Sequence, residues 1–325
     1  LTAEHRSVVV QWLPPELLAE TLPEMDDGIR EEVLERVPSA TLAEALQELD
    51  SDDAASVVED LEDDQRERVL AAMPEVERAA IESSLGYAED SAGRLMQREF
   101  MAAPQFWNVG DTIDHVRAQG DDLPELFFDI YVVDPMNRPV GGVAISRMLR
   151  SPRATPLTEL MEPVNAIEVD VDQEEVAYIF DKYHLISAPV VDAGGRLVGQ
   201  LTVDDVVNII QEENREDILR LAGVADEDRS SSVFEIVRGR VPWLGINLFT
   251  AMLGASVIAL FEGTIQQIVA LAVLMPIVSA IGGNAGTQAL TVTVRALATR
   301  ELNASNALRT FWREMAVGLA NGFIL

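Results

Sequence analysis

Near the end of the chain, six positions interrupt a long uncharged run: Gly282, Gly283, Asn284, Gly286, Thr287 and Gln288. Asn284 and Gln288 stand four residues apart, on one face of a helix. Their amide oxygens are hard, neutral ligands that suit a hydrated divalent cation keeping its own waters. The three glycines remove side chains where a backbone or an ion could come close. The segment before them, from Ile268 to Ile281, carries no charge and one hydroxyl. In such a setting unpaired polar groups are expensive, so they face protein or a water-filled path. Two uses fit the spacing equally. The cluster could line an ion path, or it could let helices pack closely while Asn284 and Gln288 bond across the contact. A hydrophobic helix should run into the cluster, break there, and resume at Ala289.

Carboxylates are the second source of chemistry. The chain has 325 residues and a formal net charge of −31, and the charge is unevenly placed. Residues 1–229 hold 51 acids and 18 bases, whereas residues 230–325 hold 4 acids and 6 bases. A region at −33 repels phosphate, which excludes nucleic acid as a partner. It suits repeated cation binding, and equally a solvated acidic surface. Acids gather at Asp52, Asp53, Asp60, Glu62, Asp63 and Asp64, at helix ends, where some would face another domain and repel unless a cation lies between. They gather again at Asp204 and Asp205, from Glu212 to Asp217, and at Asp226-Glu-Asp228. Asp204, Glu213, Glu216, Asp226 and Asp228 are the candidate sensing ligands for a divalent cation. Three scattered histidines and no cysteine leave no zinc set, no disulfide framework and no nucleophile–base pair, so an enzyme is not expected.

The elements that must position these groups follow from local pattern. Up to about residue 93, short helices recur at roughly 11–13 residues each, the sign of a superhelical array of helical hairpins. From about 94 to 213 the chain is duplicated. Val132-Val-Asp-Pro-Met-Asn-Arg138 aligns with Val190-Val-Asp-Ala-Gly-Gly-Arg196 at an offset of 58, and Leu95-Met96 aligns with Leu160-Met161 at 65. Each copy reads as strand, Asp-x-x-x-Arg turn, strand, helix. His184, before the strand at Val190, reads as a structural residue near a helix end. An amphipathic helix covers 208–222, and about two helical turns, 232–240, precede the membrane. Val241 to Leu260 is uncharged and long enough to span a bilayer, and Trp243 marks its entrance. The bases Arg238, Arg240, Arg295, Arg300, Arg309 and Arg313 fall on one side of the hairpin and none in the 261–267 turn, which places the N-terminal region in the cytoplasm. A third membrane helix should begin near Met315.

Pro276…Gly282-Gly-Asn-Ala-Gly-Thr-Gln288, followed by Arg295-Ala-Leu-Ala-Thr-Arg300, resembles the MgtE family of magnesium channels and transporters. The resemblance covers essentially the whole chain. It implies a multi-domain protein with these parts: an all-α N-terminal superhelical domain (1–93), an α+β tandem CBS pair (about 94–158 and 159–213), a connecting or plug helix region (214–240) and an α-helical transmembrane region (241–325). The family has five membrane helices with an acidic pore residue on the last, so the sequence is expected to be truncated after the start of the third. The implied activity is a homodimeric, multi-pass inner-membrane subunit, surrounded by lipid, that passes Mg²⁺ and is gated by intracellular Mg²⁺. Gly282, Gly283, Asn284, Gly286 and Gln288 would form the ion pathway. Gly199-x-x-Thr202-x-x-Asp205 matches the CBS pattern whose Thr and Asp contact a nucleotide, which makes ATP or another adenine nucleotide a candidate ligand. The same two residues would also simply start the following helix. Gly141, Ala144 and Arg147 stand at the equivalent places of the first copy and lack both groups. The rival reading is a membrane-anchored nucleotide-sensing CBS scaffold without transport.

Overall fold

Six helices of the N-terminal array start at residues 15, 27, 39, 51, 63 and 75, a period of twelve. They are α1 (Pro15–Thr21), α2 (Asp27–Leu34), α3 (Ser39–Leu46), α4 (Ser51–Glu59), α5 (Asp63–Ala72) and α6 (Glu75–Ser84). The computed structural model describes residues 9–10, 12–25, 27–120, 123–124, 126–224, 233–298, 301–302 and 305–324. Helices of the array pack on those two places along, α1 on α3, α3 on α5 and α4 on α6, so the core grows by local contacts. Leu18, Leu22, Leu34, Leu42, Leu46, Val57, Val58, Val69 and Ile81 fill it. The residues before α3 to α6 are Pro38, Asp50, Glu62 and Pro74, and none caps its helix through a side chain. The acids Asp52, Asp53, Asp63 and Asp64 instead occupy first turns, where the helix dipole favours negative charge.

The duplicated region forms two three-stranded sheets of one design. After α7 (Ala92–Leu95) come β1 (Ala102–Pro104), α8 (Val109–Gln119), β2 (Asp129–Val133), β3 (Pro139–Ala144) and α9 (Ile145–Met148). Then follow α10 (Leu157–Leu160), β4 (Ile167–Glu168), α11 (Gln173–Tyr183), β5 (Ser187–Val191), β6 (Leu197–Thr202) and α12 (Val203–Ala222). In each sheet the middle strand pairs parallel with the first and antiparallel with the third, β1-β2-β3 and β4-β5-β6. The repeated turn is the same structure twice. Asp134 Oδ1 accepts from the backbone N–H of Met136 and Arg138 at 2.8 and 2.9 Å, and Asp192 Oδ1 from Gly194 and Arg196 at 2.8 and 2.9 Å. His184 ends α11 in the left-handed region at φ 53°.

Sequence copies and packed cores do not coincide. Ala92 and Met96, ahead of the first copy's strands, are buried in the core of the second with Ile167, Val190 and Leu201. Leu157 is buried in the core of the first with Ile130, Val132 and Val143, and Met161 packs against it. The crossing segments pair with the far edge strands, Gln97 with Gln200 and Glu162 with Gly142. Glycine is required where they pass. A Cβ on Gly199 would lie 2.6 Å from the Gln97 carbonyl oxygen, and one on Gly141 would lie 2.9 Å from Met161 Sδ.

The chain divides into two compact units, the first containing residues 1–217 and the second running from Ile218 through the C-terminal helices. In the second, α13 (Val233–Leu260) joins the connecting segment and the first span in one helix that continues through Pro242. α14 (Glu262–Gln267) occupies the expected turn. α15 (Ala270–Ala298) runs unbroken through the glycine–asparagine cluster, where a break was expected. The reason is the solvent: an apolar medium offers no substitute for the helical backbone bonds, so glycines that would end a helix in water do not end this one. α16 (Ala307–Ile324) starts eight residues before the expected Met315. Among the described residues two helices are long and apolar enough to cross a membrane, Ile236–Leu260 and Ala270–Leu297, with mean hydropathies of 1.8 and 1.5.

Candidate functional site

Two sites take shape in the first unit. The first is an acidic cavity of about 410 Å³ between the helical array and the second CBS copy. Its described lining includes eight carboxylates, Asp52, Asp53, Glu59, Asp60, Glu89, Asp90, Asp205 and Glu212, and two arginines. Both arginines pair with acids of the lining: Arg30 Nε lies 2.5 Å from Asp60 and its charge also acts on Asp53, and Arg94 Nη2 lies 2.7 Å from Glu59. Two polar atoms of this lining are sealed from solvent with no hydrogen-bond partner, Asp52 Oδ1 and Arg94 Nε. Burial, then the charges of Asp205 and Asp53, push the Asp52 carboxyl well above the usual range. Burial, followed by the Asp50 and Glu24 charges, raises Asp53 to about 6. Burial also raises Asp205 to about 6, against the lowering effect of its bond with Thr202, while Asp204 and Asp53 add to the rise.

This is the expected behaviour of carboxylates crowded across a domain boundary, where desolvation and like charge both disfavour ionisation. Hard carboxyl oxygens, one of them unpartnered, suit a divalent cation that keeps most of its waters and whose charge would restore ionisation. Among the described residues no three carboxylates converge as a ready-made cage.

A hydrogen-bonded clip holds the array against this boundary. Glu99 Oε2 accepts from Ser51 N–H and O–H at 3.2 and 2.8 Å, at the start of α4. Gln97 Nε2 reaches Asp50 Oδ2 at 3.4 Å. Buried Gln200 on β6 holds the segment from behind, donating to the Glu99 carbonyl at 2.8 Å and to Gln97 Oε1 at 3.3 Å. Its Oε1 lies 3.2 Å from the Tyr131 hydroxyl, which lies 3.0 Å from Ser187 Oγ.

The second site is a cleft of about 190 Å³ between the CBS copies. Its lining includes Asp129, Tyr131, Ala144 and Arg147 from the first copy, Glu162, Val164 and Asn165 from the linker, and Leu185 and Ser187 from the second. Ala144 and Arg147 are the sequence equivalents of Thr202 and Asp205. Thr202 is buried and donates to Asp205, whose carboxyl turns to the acidic cavity. The two motif residues are therefore brought together at the domain boundary, and the cleft is lined by their first-copy equivalents, Ala144 and Arg147.

The candidate sensing residues scatter. Asp204 is exposed on the first turn of α12, close enough to act on Asp53 and Asp205. Glu213 accepts from Gln173 Nε2 at 2.7 Å, and burial raises its pKa. Glu216 lies one turn on and adds to that rise. Asp226 and Asp228 lie outside the described residues. Sequence reasoning placed Asp52 and Asp53 among acids able to face another domain, but it missed Glu89 and Asp90, whose part in the cavity depends on how the array folds back. Gln97, Glu99 and Gln200 carried no signal.

In the second unit, Gly282, Gly283, Asn284, Gly286 and Gln288 all lie on α15. A Cβ on any of the three glycines would meet nothing within 4 Å. Thr287 and Thr291 return their hydroxyl protons to the carbonyls of Gly283 and Thr287 at 3.1 and 3.0 Å. That leaves Asn284 and Gln288 as the amide groups of the cluster.

Comparison with known proteins covers all of these parts. Residues 1–90 match the model of the MgtE intracellular N domain, 157–212 that of the CBS domain, and 275–325 that of the MgtE divalent cation transporter. The chain is 35% identical over 332 residues to the magnesium transporter MgtE of Thermus thermophilus, which covers all of this chain and 74% of that protein. It is 29% identical to the magnesium transporter MgtE of Bacillus subtilis over 99% of this chain and 71% of that one. Among solved structures, the cytosolic domain of the Mg²⁺ channel MgtE in complex with ATP superposes with a TM-score of 0.61 at 35% identity, covering 64% of this chain and 86% of that one. The soluble part of a magnesium transporter gives 0.60 at 26%, covering 66% and 84%. A helical array, a CBS pair and apolar C-terminal helices, in that order and at that identity to a magnesium transporter, place this membrane protein in the MgtE family.

Proposed function

We propose that the chain is a subunit of a homodimeric magnesium channel or transporter of the cell membrane, gated by intracellular Mg²⁺ at the acidic cavity. The observation that carries the gating is Asp52: a buried, unpartnered carboxylate oxygen beside Asp53 and Asp205. Without a cation, the array and the second CBS copy meet through like charges. Two charges at ~4 Å repel by about 4 kcal/mol at an effective dielectric near 20, so a few bridged pairs suffice to bias a two-state element. Mg²⁺ would be held by Asp52, Asp53 and Asp205 largely through its waters, with Asp204, Glu213 and Glu216 adding to the local field. Closure of the boundary would then act through α12 and the connecting part of α13. Along the membrane, Asn284 and Gln288 would act on the water shell of the passing ion. The CBS cleft would take an adenine nucleotide as a second input, a reading supported by the related cytosolic domain crystallised with ATP.

The test uses the purified full chain, with hydrogen exchange at α4 and α12 followed through a Mg²⁺ titration. Na⁺ at equal ionic strength serves as the control, because it screens without bridging. Protection should saturate with Mg²⁺ and change less with Na⁺. Asp52→Asn/Asp205→Asn should show protection before any Mg²⁺ is added and respond weakly afterwards. If Na⁺ reproduces the full effect, the cavity is a solvated acidic surface and the gating proposal fails.

A further inference from the structure

The acidic cavity carries cations of its own, and they differ in what they do. Arg94 is a structural tie: Nη2 meets Glu59 at 2.7 Å and Nη1 donates to the Ser84 carbonyl at 3.2 Å, which joins α7 to the ends of α4 and α6. Arg30, on α2, faces the ion-binding side. Its Nε lies 2.5 Å from Asp60 Oδ2, and only 10% of the arginine side chain and 21% of the aspartate are exposed, so water screens the pair weakly. Its charge also acts on Asp53, where it opposes the rise caused by burial and by the neighbouring acids. A guanidinium does not give up its proton inside a protein, so this charge is permanent.

A divalent ion entering the cavity meets that charge. Its attraction to the carboxylates and its repulsion by a fixed guanidinium both scale with the charge on the ion, so the arginine subtracts from what the acids supply. The cavity suits a cation on a ground other than its many acids: Asp52 Oδ1 is sealed within it and has no partner. We propose that Arg30 is a tethered counter-ion that sets the Mg²⁺ threshold of the boundary. While metal is scarce it neutralises part of the charge on Asp60 and Asp53, and Mg²⁺ must outcompete it to close the array against the second CBS copy. The effective concentration of a tethered group is fixed by the chain and not by the solution, so the threshold is a property of the sequence. The inference rests on the reading that Mg²⁺ binds in this cavity, and it concerns the residue that tunes that binding.

The test measures the half-saturating Mg²⁺ concentration for hydrogen-exchange protection at α4 and α12. It uses the purified full chain at fixed ionic strength and about pH 8, where Asp53 and Asp205 are ionised. Arg30→Gln should lower the midpoint about fivefold, the scale of one unit charge acting on a divalent ion through partly hydrated protein. Arg30→Lys keeps the charge and should stay within about twofold of the unsubstituted chain. Ser56 is exposed and lines the same cavity, so Ser56→Arg adds a guanidinium without disturbing the core and should raise the midpoint about threefold. An Arg30→Gln midpoint that is unchanged or higher overturns the inference while the cavity reading stands. So does an Arg30→Lys midpoint that falls as far as that of Arg30→Gln, since geometry and not charge would then set it. If a thermal melt shows Arg30→Gln to be unfolded, Ser56→Arg decides, and an unchanged midpoint there overturns the inference. If the unsubstituted chain shows no saturable response to Mg²⁺, the cavity reading falls and the inference falls with it.

Discussion

At the scale of single residues, Asp53 and Asp205 make the acidic boundary sensitive to protons as well as to metal. Both are held at about 6, above the ~3.9 of an unfolded aspartate. Between these values the folded state keeps protons that the unfolded state gives up, so stability falls as pH rises from about 4 to about 6 and levels off above. Without divalent cations, the melting temperature should therefore rise as pH drops from 7 to 5.5, and Mg²⁺ should raise it more at pH 7 than at 5.5. A melting temperature that falls on acidification, or an Asp53→Asn/Asp205→Asn variant that keeps the full pH response, would contradict this. The sequence told part of this story. Asp52 and Asp53 stood out as paired first-turn acids, because local pattern marks helix starts. Asp205 carried another reading: its spacing from Gly199 and Thr202 suggested a nucleotide contact, and its place in the acidic cavity depends on the packing of a domain 150 residues upstream.

At the scale of elements, the strand β6 carries a side chain that its own pattern does not explain. Gln200 sits among Val198, Gly199, Leu201 and Thr202, and its amide is buried because a segment from the other copy covers that face. It ties together Tyr131, Gln97 and Glu99, which come from the first CBS copy and from the segment leaving the array. Gln200→Leu keeps the volume and strands these partners. Leaving buried polar groups unsatisfied costs about 1–3 kcal/mol, so chemical denaturation should show a loss of that order. Hydrogen exchange should also speed up at Arg98 and Ser51, whose N–H groups depend on the clip. A neutral substitution would mean that backbone pairing of Gln97 with Gln200 holds the segment unaided. The strands, the twin turns and the glycines at 141 and 199 were legible because they repeat. The crossing that those glycines permit was not, since a repeat specifies two similar halves without specifying which half each linker completes.

For the whole molecule, the exchanged linkers mean that the pair, not the copy, is the folding unit. Residues 159–213 alone lack Ala92 and Met96, two fully buried members of their core. Expressed alone, this span should melt without a cooperative transition, whereas residues 87–222 should unfold in a single step by circular dichroism. A cooperative melt of the isolated copy would show that the linker is an accessory. The N-terminal array has the opposite character: its twelve-residue period couples near neighbours only, and for that reason it was the part most readily read from sequence.

The exchange also sets a clock during synthesis. The array can fold helix by helix as it leaves the ribosome, since each contact closes over a short stretch of chain. Gln97 must wait for Gln200, 103 residues later. At about 5–20 residues per second, that is an interval of roughly 5–20 s. Throughout it, Met96 and the finished acidic face of the array stand without their partners. The nascent chain thus passes through a stage with an apolar hook exposed beside a folded domain, and it is then that a holding chaperone would have most to protect.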